Sequence, residues 1–411
     1  MHDAPHALPL DPFGDLIQPF NRRGVDLGLD RLNAALADLG HPERHFSAVQ
    51  VAGTNGKGSI CTLVHQALLA AGIRAGSYTS PHLVSWTERI RLGEQLIAEK
   101  ALRQQLERSA AVAHRHHLTP FELVTAAAFL AFAEAALELV VLEVGLGGRL
   151  DATSCHPQRD VIGFARIGLD HAEHLGQDVS SIAREKGGVL TPGCIAISGP
   201  QTPDVQAVLE KEANLRGAEL RLAAPLKLEQ WTLGLPGAVQ AYNGAVARGM
   251  LQALGERGWP VTEEAMRQGF ARAHWPGRLQ QISWRGIPLL LDGAHNVPAA
   301  QALAADLRSD PSSHGLQSGP RHWVLGILAN KQGPDMLDAL LEPNDRAWIV
   351  PVTGHASWSS EQLSAARPER SHQLDTATDL QAALVSAHRC TNSRLIVAGS
   401  LYLLGSLLAS A

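Results

Sequence analysis

Short apolar runs alternate with longer stretches of helical spacing along this chain. Residues 46–51 read as a buried strand and are followed by a glycine-rich turn. Residues 59–71 have the spacing of a helix, which Gly72 stops. Residues 140–143 form another strand pattern, with Gly145, Gly147 and Gly148 just beyond it. Residues 161–167 and 194–198 repeat the strand signal. A second alternating set begins near Ile287, with strands expected over 287–291, 322–328, 346–352 and 395–398. Helical patterns at 298–307 and 376–390 lie between them. Such β-α alternation predicts an α/β protein with mostly parallel sheets and helices on both faces. The turn-rich segment Trp275-Pro276-Gly277-Arg278 separates the two sets, so a domain boundary is expected close to 280.

Composition narrows the function classes. Hydrophobic residues make up 45% of the 411 and charged residues 18%, enough apolar material for two or three buried cores. Thirty-five Lys and Arg against forty Asp and Glu give a net charge of −5, with no long basic block. That balance argues against a nucleic-acid partner held through phosphates. The most apolar stretch, 125–146, is interrupted by Glu134, Glu138 and Glu143, so no membrane partner is expected. The start, Met1-His2-Asp3-Ala4-Pro5, lacks the charge and apolar run of a signal peptide. Cys61, Cys155, Cys194 and Cys390 are far apart and form no CxxC pair, as suits a reducing cytosol. A cytoplasmic protein is expected.

The sharpest chemical signal is Gly53-Thr54-Asn55-Gly56-Lys57-Gly58-Ser59, between a strand and a helix. A turn of this kind aims backbone N–H groups and a helix N-terminus at a phosphate. Lys57 can reach outer phosphates, and Ser59 can help cap the helix. The spacing departs from the usual G-x-x-x-x-G-K-[ST] motif, and a ligand-free βα turn that needs glycine has similar local sequence.

Further positions invite chemistry. Glu143 closes a strand, where α/β sheets place ligands and where a buried carboxylate needs a partner or a metal. An exposed strand-end glutamate is the simpler alternative. His171 and His174 could share a helix face, but a third zinc ligand at regular spacing is missing. Lys186 follows Arg184-Glu185 in a helical pattern, where most lysines are solvated. Thr119-Pro120-Phe121-Glu122 reads as a capping box opening a helix, complete without any ligand. Asp292-Gly293-Ala294-His295-Asn296 sits between strand and helix, and Asp and Asn can also serve there as caps.

Taken in order, these segments resemble the Mur-ligase superfamily, in particular the folylpolyglutamate synthase/dihydrofolate synthase family. The resemblance is carried by 53–59, by Tyr78-Thr79-Ser80-Pro81-His82-Leu83 with Glu88-Arg89-Ile90, and by the run from Leu142 to Thr153. Gly168-Leu169-Asp170-His171, Arg184-Glu185-Lys186, Trp275–Arg278 and Leu291–Asn296 complete it. It implies an N-terminal P-loop-type ATPase domain over 1–280 and a smaller Rossmann-like domain over 281–411 contributing to the ATP and glutamate sites. It implies ATP contacts at Thr54, Asn55, Gly56, Lys57, Gly58, Ser59, Asn243, Arg278 and Asp292, with His295 close by. It implies Mg²⁺ held by Ser80, Glu143 and His171, and a carbamylated Lys186. It implies dihydropteroate contacts at Thr119, Pro120, Phe121, Glu122, Leu150, Asp151 and Ala152. Lys57, Glu143, His171 and Lys186 are then the catalytic set.

The implied activity is an ATP-dependent carboxylate–amine ligase joining L-glutamate to dihydropteroate, and to tetrahydrofolates, through an acyl phosphate. A monomer is expected. Another Mur-type amide ligase, a P-loop kinase or ATPase, and a non-catalytic relative are the alternatives. Residues 1–45 leave little room for the extra N-terminal domain of the first of these. Val239, Ser154 and Asn330-Lys331-Gln332 depart from the family pattern of histidine, asparagine and an acidic-Lys-acidic triplet.

Overall fold

The computed structural model describes residues 11–18, 26–317, 319–391 and 393–410. The chain divides into two compact units. One is formed by Leu10–Leu235 and Gln240–His274; the other contains Pro236–Val239 and Trp275–Ala411.

The larger unit is built on an eight-stranded sheet. Its strands are β1 (Ser47–Ala52), β2 (Ala75–Tyr78), β3 (Ile90–Leu92), β4 (Gln95–Leu96), β5 (Leu139–Glu143), β6 (Arg159–Phe164), β7 (Ile195–Ser198) and β8 (Glu219–Leu222). Their spatial order is β4-β3-β2-β5-β1-β6-β7-β8. Every pair from β2 to β8 is parallel, while β3 and β4 add an antiparallel margin. The whole of β5, Leu-Val-Val-Leu-Glu, is buried. A parallel strand covered by helices on both faces has no solvated side, so its sequence runs apolar without alternation. Phe129, Phe132 and Leu123 pack in one hydrophobic layer, and Phe164, Ile182 and Leu209 in another. Each such side chain contributes about 2 kcal/mol by leaving water.

The second unit carries a six-stranded sheet of β9 (Gln280–Trp284), β10 (Ile287–Leu291), β11 (His322–Leu325), β12 (Arg346–Ile349), β13 (Leu374–Thr376) and β14 (Leu395–Ala398). The order is β13-β12-β11-β14-β10-β9, parallel except for β9. Its last parallel strand returns between β10 and β11, which makes the doubly wound pattern expected of a Rossmann-like unit.

The expected strands are present, with shifted ends. The helix read as 59–71 runs Lys57–Ala70, because Lys57 and Gly58 lie outside the apolar periodicity. The strand expected over 346–352 ends at Ile349, and that over 322–328 ends at Leu325. Among the described residues no helix is long and apolar enough to cross a membrane.

Candidate functional site

The glycine-rich loop leaves β1 and turns sharply into the helix Lys57–Ala70. Gly53 has φ +142°, and a Cβ there would lie 2.6 Å from that of Ala165. Gly56 is the N-cap in the left-handed region, with φ +100°, and no side chain caps the helix. Ser59, expected to help with capping, is buried in the first turn instead, next to buried Gly58. The loop is fastened to the segment after β6. The Thr54 and Asn55 amides donate to the Arg166 carbonyl at 2.9 and 3.2 Å. The Thr54 hydroxyl donates to the Gly168 carbonyl at 3.0 Å and accepts from the Gly168 amide at 3.1 Å. Lys57 folds over the loop, its Nζ donating to the carbonyls of Gly53 and Thr54 at 3.2 Å each. Asn243, on the helix Gln240–Glu256, reaches the same turn so closely that a Cβ added at Gly56 would clash with its Oδ1. A helix N-terminus with a lysine and close-packed glycines is suited to a polyphosphate.

Glu143 ends β5 beside this loop, only 4% exposed. Its Oε2 accepts from the Ser80 amide at 3.3 Å, and Ser80 precedes Pro81 through a cis peptide. A carboxylate there is a fitting ligand for a hard divalent cation, and Ser80 meets it through its backbone amide. His171 has φ +51° and begins a short helix, Ala172–Leu175. Its ring lies 3.9 Å from both the Asp170 and Glu173 carboxylates. No three His, Cys, Asp or Glu side chains among the described residues are grouped to hold a metal by themselves.

Lys186 lies within the helix Val179–Gly187, and its side chain is buried. Burial pushes its pKa down to about 7, and repulsion from Lys57 pushes the same way, against the attraction of Asp170 and Asp151. The neutral amine is thus accessible near pH 7, unlike that of a solvated lysine. Residues far apart in sequence, 57, 151, 170 and 186, come within electrostatic reach of one another.

The segment expected to hold an acceptor starts with the capping box read from sequence. Thr119 Oγ1 accepts from the Glu122 amide at 3.3 Å, and Glu122 Oε2 accepts from the Thr119 amide at 2.7 Å. Pro120 occupies the first turn. Glu122 also pairs with Arg31, at 3.2 Å. Phe121 lies over Gly145, where a Cβ would come within 2.6 Å of its Cζ, and 5.9 Å from the Tyr78 ring. Asp151 closes the turn after β5. Its Oδ2 accepts from the Gly145 and Leu146 amides, both at 3.0 Å, while Oδ1 accepts from the Thr153 amide and hydroxyl. Burial pushes its carboxyl pKa up, which these hydrogen bonds oppose. Ala152 is buried behind it and Leu150 is half-buried.

Sequence reasoning passed over Gln50. It is fully buried in β1, donates to Thr153 and Ser154, and accepts from Arg159 at 2.5 Å. A polar residue inside an apolar strand was the available signal. Ser154, one of the departures from the family pattern, joins this network and donates to the Gly148 carbonyl at 2.7 Å.

In the second unit, the carboxyl end of β10 carries Asp292. Its Oδ2 accepts from the Leu279 amide at 3.1 Å and its Oδ1 from the Ala294 amide at 2.9 Å. Burial raises its pKa, while the nearby Arg278 guanidinium lowers it. The Gly293 amide donates to the Gly277 carbonyl at 2.7 Å, tying the two turns together. His295 Nδ1 lies 2.8 Å from the Gly293 carbonyl, and Asn296 caps the helix Val297–Ser309.

Comparison with known proteins gives a consistent result. The family model "Dihydrofolate synthetase, C-terminal domain" matches residues 277–410. The dihydrofolate synthase/folylpolyglutamate synthase of Escherichia coli is 35% identical over 372 residues, covering 87% of this chain and 85% of that protein. The dihydrofolate synthetase of Saccharomyces cerevisiae is 32% identical, covering 93% of this chain and 97% of its own. Among solved structures, E. coli FolC in complex with DHPP and ADP superposes with a TM-score of 0.84 at 30% identity, covering 97% of each chain. The bifunctional enzyme of Yersinia pestis complexed with AMPPNP and Mn ion gives 0.85 at 31% identity and 99% of each chain.

Proposed function

The chain belongs to the dihydrofolate synthase/folylpolyglutamate synthase family, whose members are ATP-dependent ligases, and from that premise we propose that it joins L-glutamate to dihydropteroate. Tetrahydrofolates are proposed as further acceptors, giving polyglutamates. One observation carries the reading: the glycine-rich loop and Glu143 lie where β1 and β5 end, and buried Lys186 is within electrostatic reach of Lys57.

The acceptor carboxylate attacks the terminal phosphorus of ATP, giving an acyl phosphate and ADP. The amine of glutamate then attacks the acyl carbon. Phosphate leaves with the bonding electrons, the amine nitrogen loses a proton, and an amide remains. Both steps move negative charge among phosphate oxygens. The amides at the start of the helix Lys57–Ala70, with Lys57 itself, stabilise that charge. ATP is proposed to contact Thr54–Ser59 and Asn243. Mg²⁺, proposed at Glu143, Ser80 and His171, would neutralise phosphate charge there.

Lys186 is proposed to be carbamylated. Its neutral amine would add to CO₂ and release a proton, leaving an anion close to Lys57. That charge reversal would turn a repulsive neighbour of Lys57 into an attractive one. Phe121, Leu150, Asp151 and Ala152, with the Thr119–Glu122 cap, are proposed to line the dihydropteroate pocket. Since both Asp151 oxygens are engaged by the chain, its part there is to shape the turn.

The test is product mass spectrometry with ATP, Mg²⁺, L-glutamate and either dihydropteroate or tetrahydrofolate. Dihydrofolate formation that stops when glutamate is left out is the expected result. ADP release that is indifferent to glutamate would instead indicate a kinase or ATPase.

A further inference from the structure

The rim of the phosphate loop contains a cation that the reading above does not use. Arg166 follows β6, and its carbonyl accepts from both the Thr54 and Asn55 amides. Arg166 and Asn55 form an isolated antiparallel bridge. Directly opposed residues in such a bridge project their side chains to the same side. The Arg166 side chain therefore leaves the backbone on the side of Asn55, at the loop that precedes Lys57.

This guanidinium is exposed, and among the described residues no carboxylate pairs with it. Other arginines of the same unit are occupied: Arg149 by Glu185, Arg221 by Glu256, and Arg267 by Glu263. The backbone around Arg166 is fixed as well, by the Thr54 bonds to Gly168 and by the Ala165 amide, which donates to Ala52 at 2.8 Å. An unpaired guanidinium on a rigid rim, next to a loop shaped for anions, is matched to phosphate oxygens, which it can hold through two parallel hydrogen bonds.

We infer that Arg166 is a nucleotide-binding residue that supplies a second cation, beside Lys57, to the phosphate tail. The inference rests on the reading that residues 53–59 bind the phosphates of ATP. Arg166 acts on binding of both substrate and product nucleotide, so its loss raises KM for ATP more than it lowers kcat.

Calorimetric titration of ADP into the full-length protein tests this, using Arg166→Ala, Arg166→Lys and Lys57→Ala, with thermal melting to verify folding. Arg166→Ala is expected to weaken ADP about tenfold and to flatten the dependence of log Kd on log salt. Arg166→Lys should recover affinity to within about threefold of the starting protein, because charge is kept and the bidentate geometry lost. Equal weakening by both substitutions would overturn the inference, since position and not charge would then matter. Affinity within about twofold in Arg166→Ala, with binding lost in Lys57→Ala, would also overturn it and leave the loop reading intact. ADP binding unaltered in all variants would remove the loop reading itself. Should Arg166→Ala fail to fold, Arg166→Gln takes its place.

Discussion

Asn243 lies so close over Gly56 that a Cβ on the glycine would fall 2.4 Å from its Oδ1. A helix that begins far along the chain, at Gln240, thus borders the turn where the glycine-rich loop becomes a helix. The contact requires glycine twice over, because Gly56 also has φ +100°.

Gly56→Ala is expected to raise KM for ATP by about tenfold or more and to lower stability by about 1–3 kcal/mol, from positive φ and the clash together. Asn243→Ala relieves the clash. The double variant should therefore recover part of the lost stability in urea titrations, and additive losses would show that the two residues do not interact.

Lys57→Ala and Glu143→Gln should each lower glutamate-dependent ADP release about a hundredfold or more. Far-ultraviolet circular dichroism should stay unchanged. Glu143→Gln should also require more Mg²⁺ for half-maximal rate, since a neutral amide replaces one charged ligand. Turnover at the original rate in either variant would remove that residue from the site.

The pKa of Lys186 sets a pH dependence of stability. A lysine at about 7 in the folded chain and ordinarily at 10.5 in water binds fewer protons when folded. Its contribution to stability therefore rises with pH across that window and is unfavourable below it, with a limiting slope of about 1.4 kcal/mol per unit. Urea unfolding between pH 6 and pH 9, in CO₂-depleted buffer, is expected to show a steeper rise for the original chain than for Lys186→Met. Parallel curves would place the ammonium in solvent. Added bicarbonate should stabilise the original chain alone, and electron density at Lys186 would show the carbamate.

Phe121 leans on Gly145, so Gly145→Ala pushes the ring aside. The expected result is a KM for dihydropteroate raised about tenfold, with KM for ATP within about twofold. Equal changes in both would detach Phe121 from the acceptor site.

The local elements were legible because their signals are local. The continuous burial of β5 follows from its Leu-Val-Val-Leu run, and the Thr119–Glu122 cap from two residues three apart. The segments Ala75–Tyr78 and Glu219–Leu222 carry no strand signal of their own, the first holding Gly and Ser and the second charged residues. Their strand state comes from pairing with β5 and β7.

The α/β class, the family and the glycine-rich turn at 53–59 are legible in the sequence, since each is written in contiguous residues or in the order of short motifs. The folded chain is needed to show that Lys186 is buried within reach of Lys57, that Asp151 is spent on the turn it closes, and that among the described residues no carboxylate pairs with Arg166 at the loop rim. Burial and electrostatic coupling depend on distances between residues remote in the chain, and the order of the strands in the sheet sets those distances.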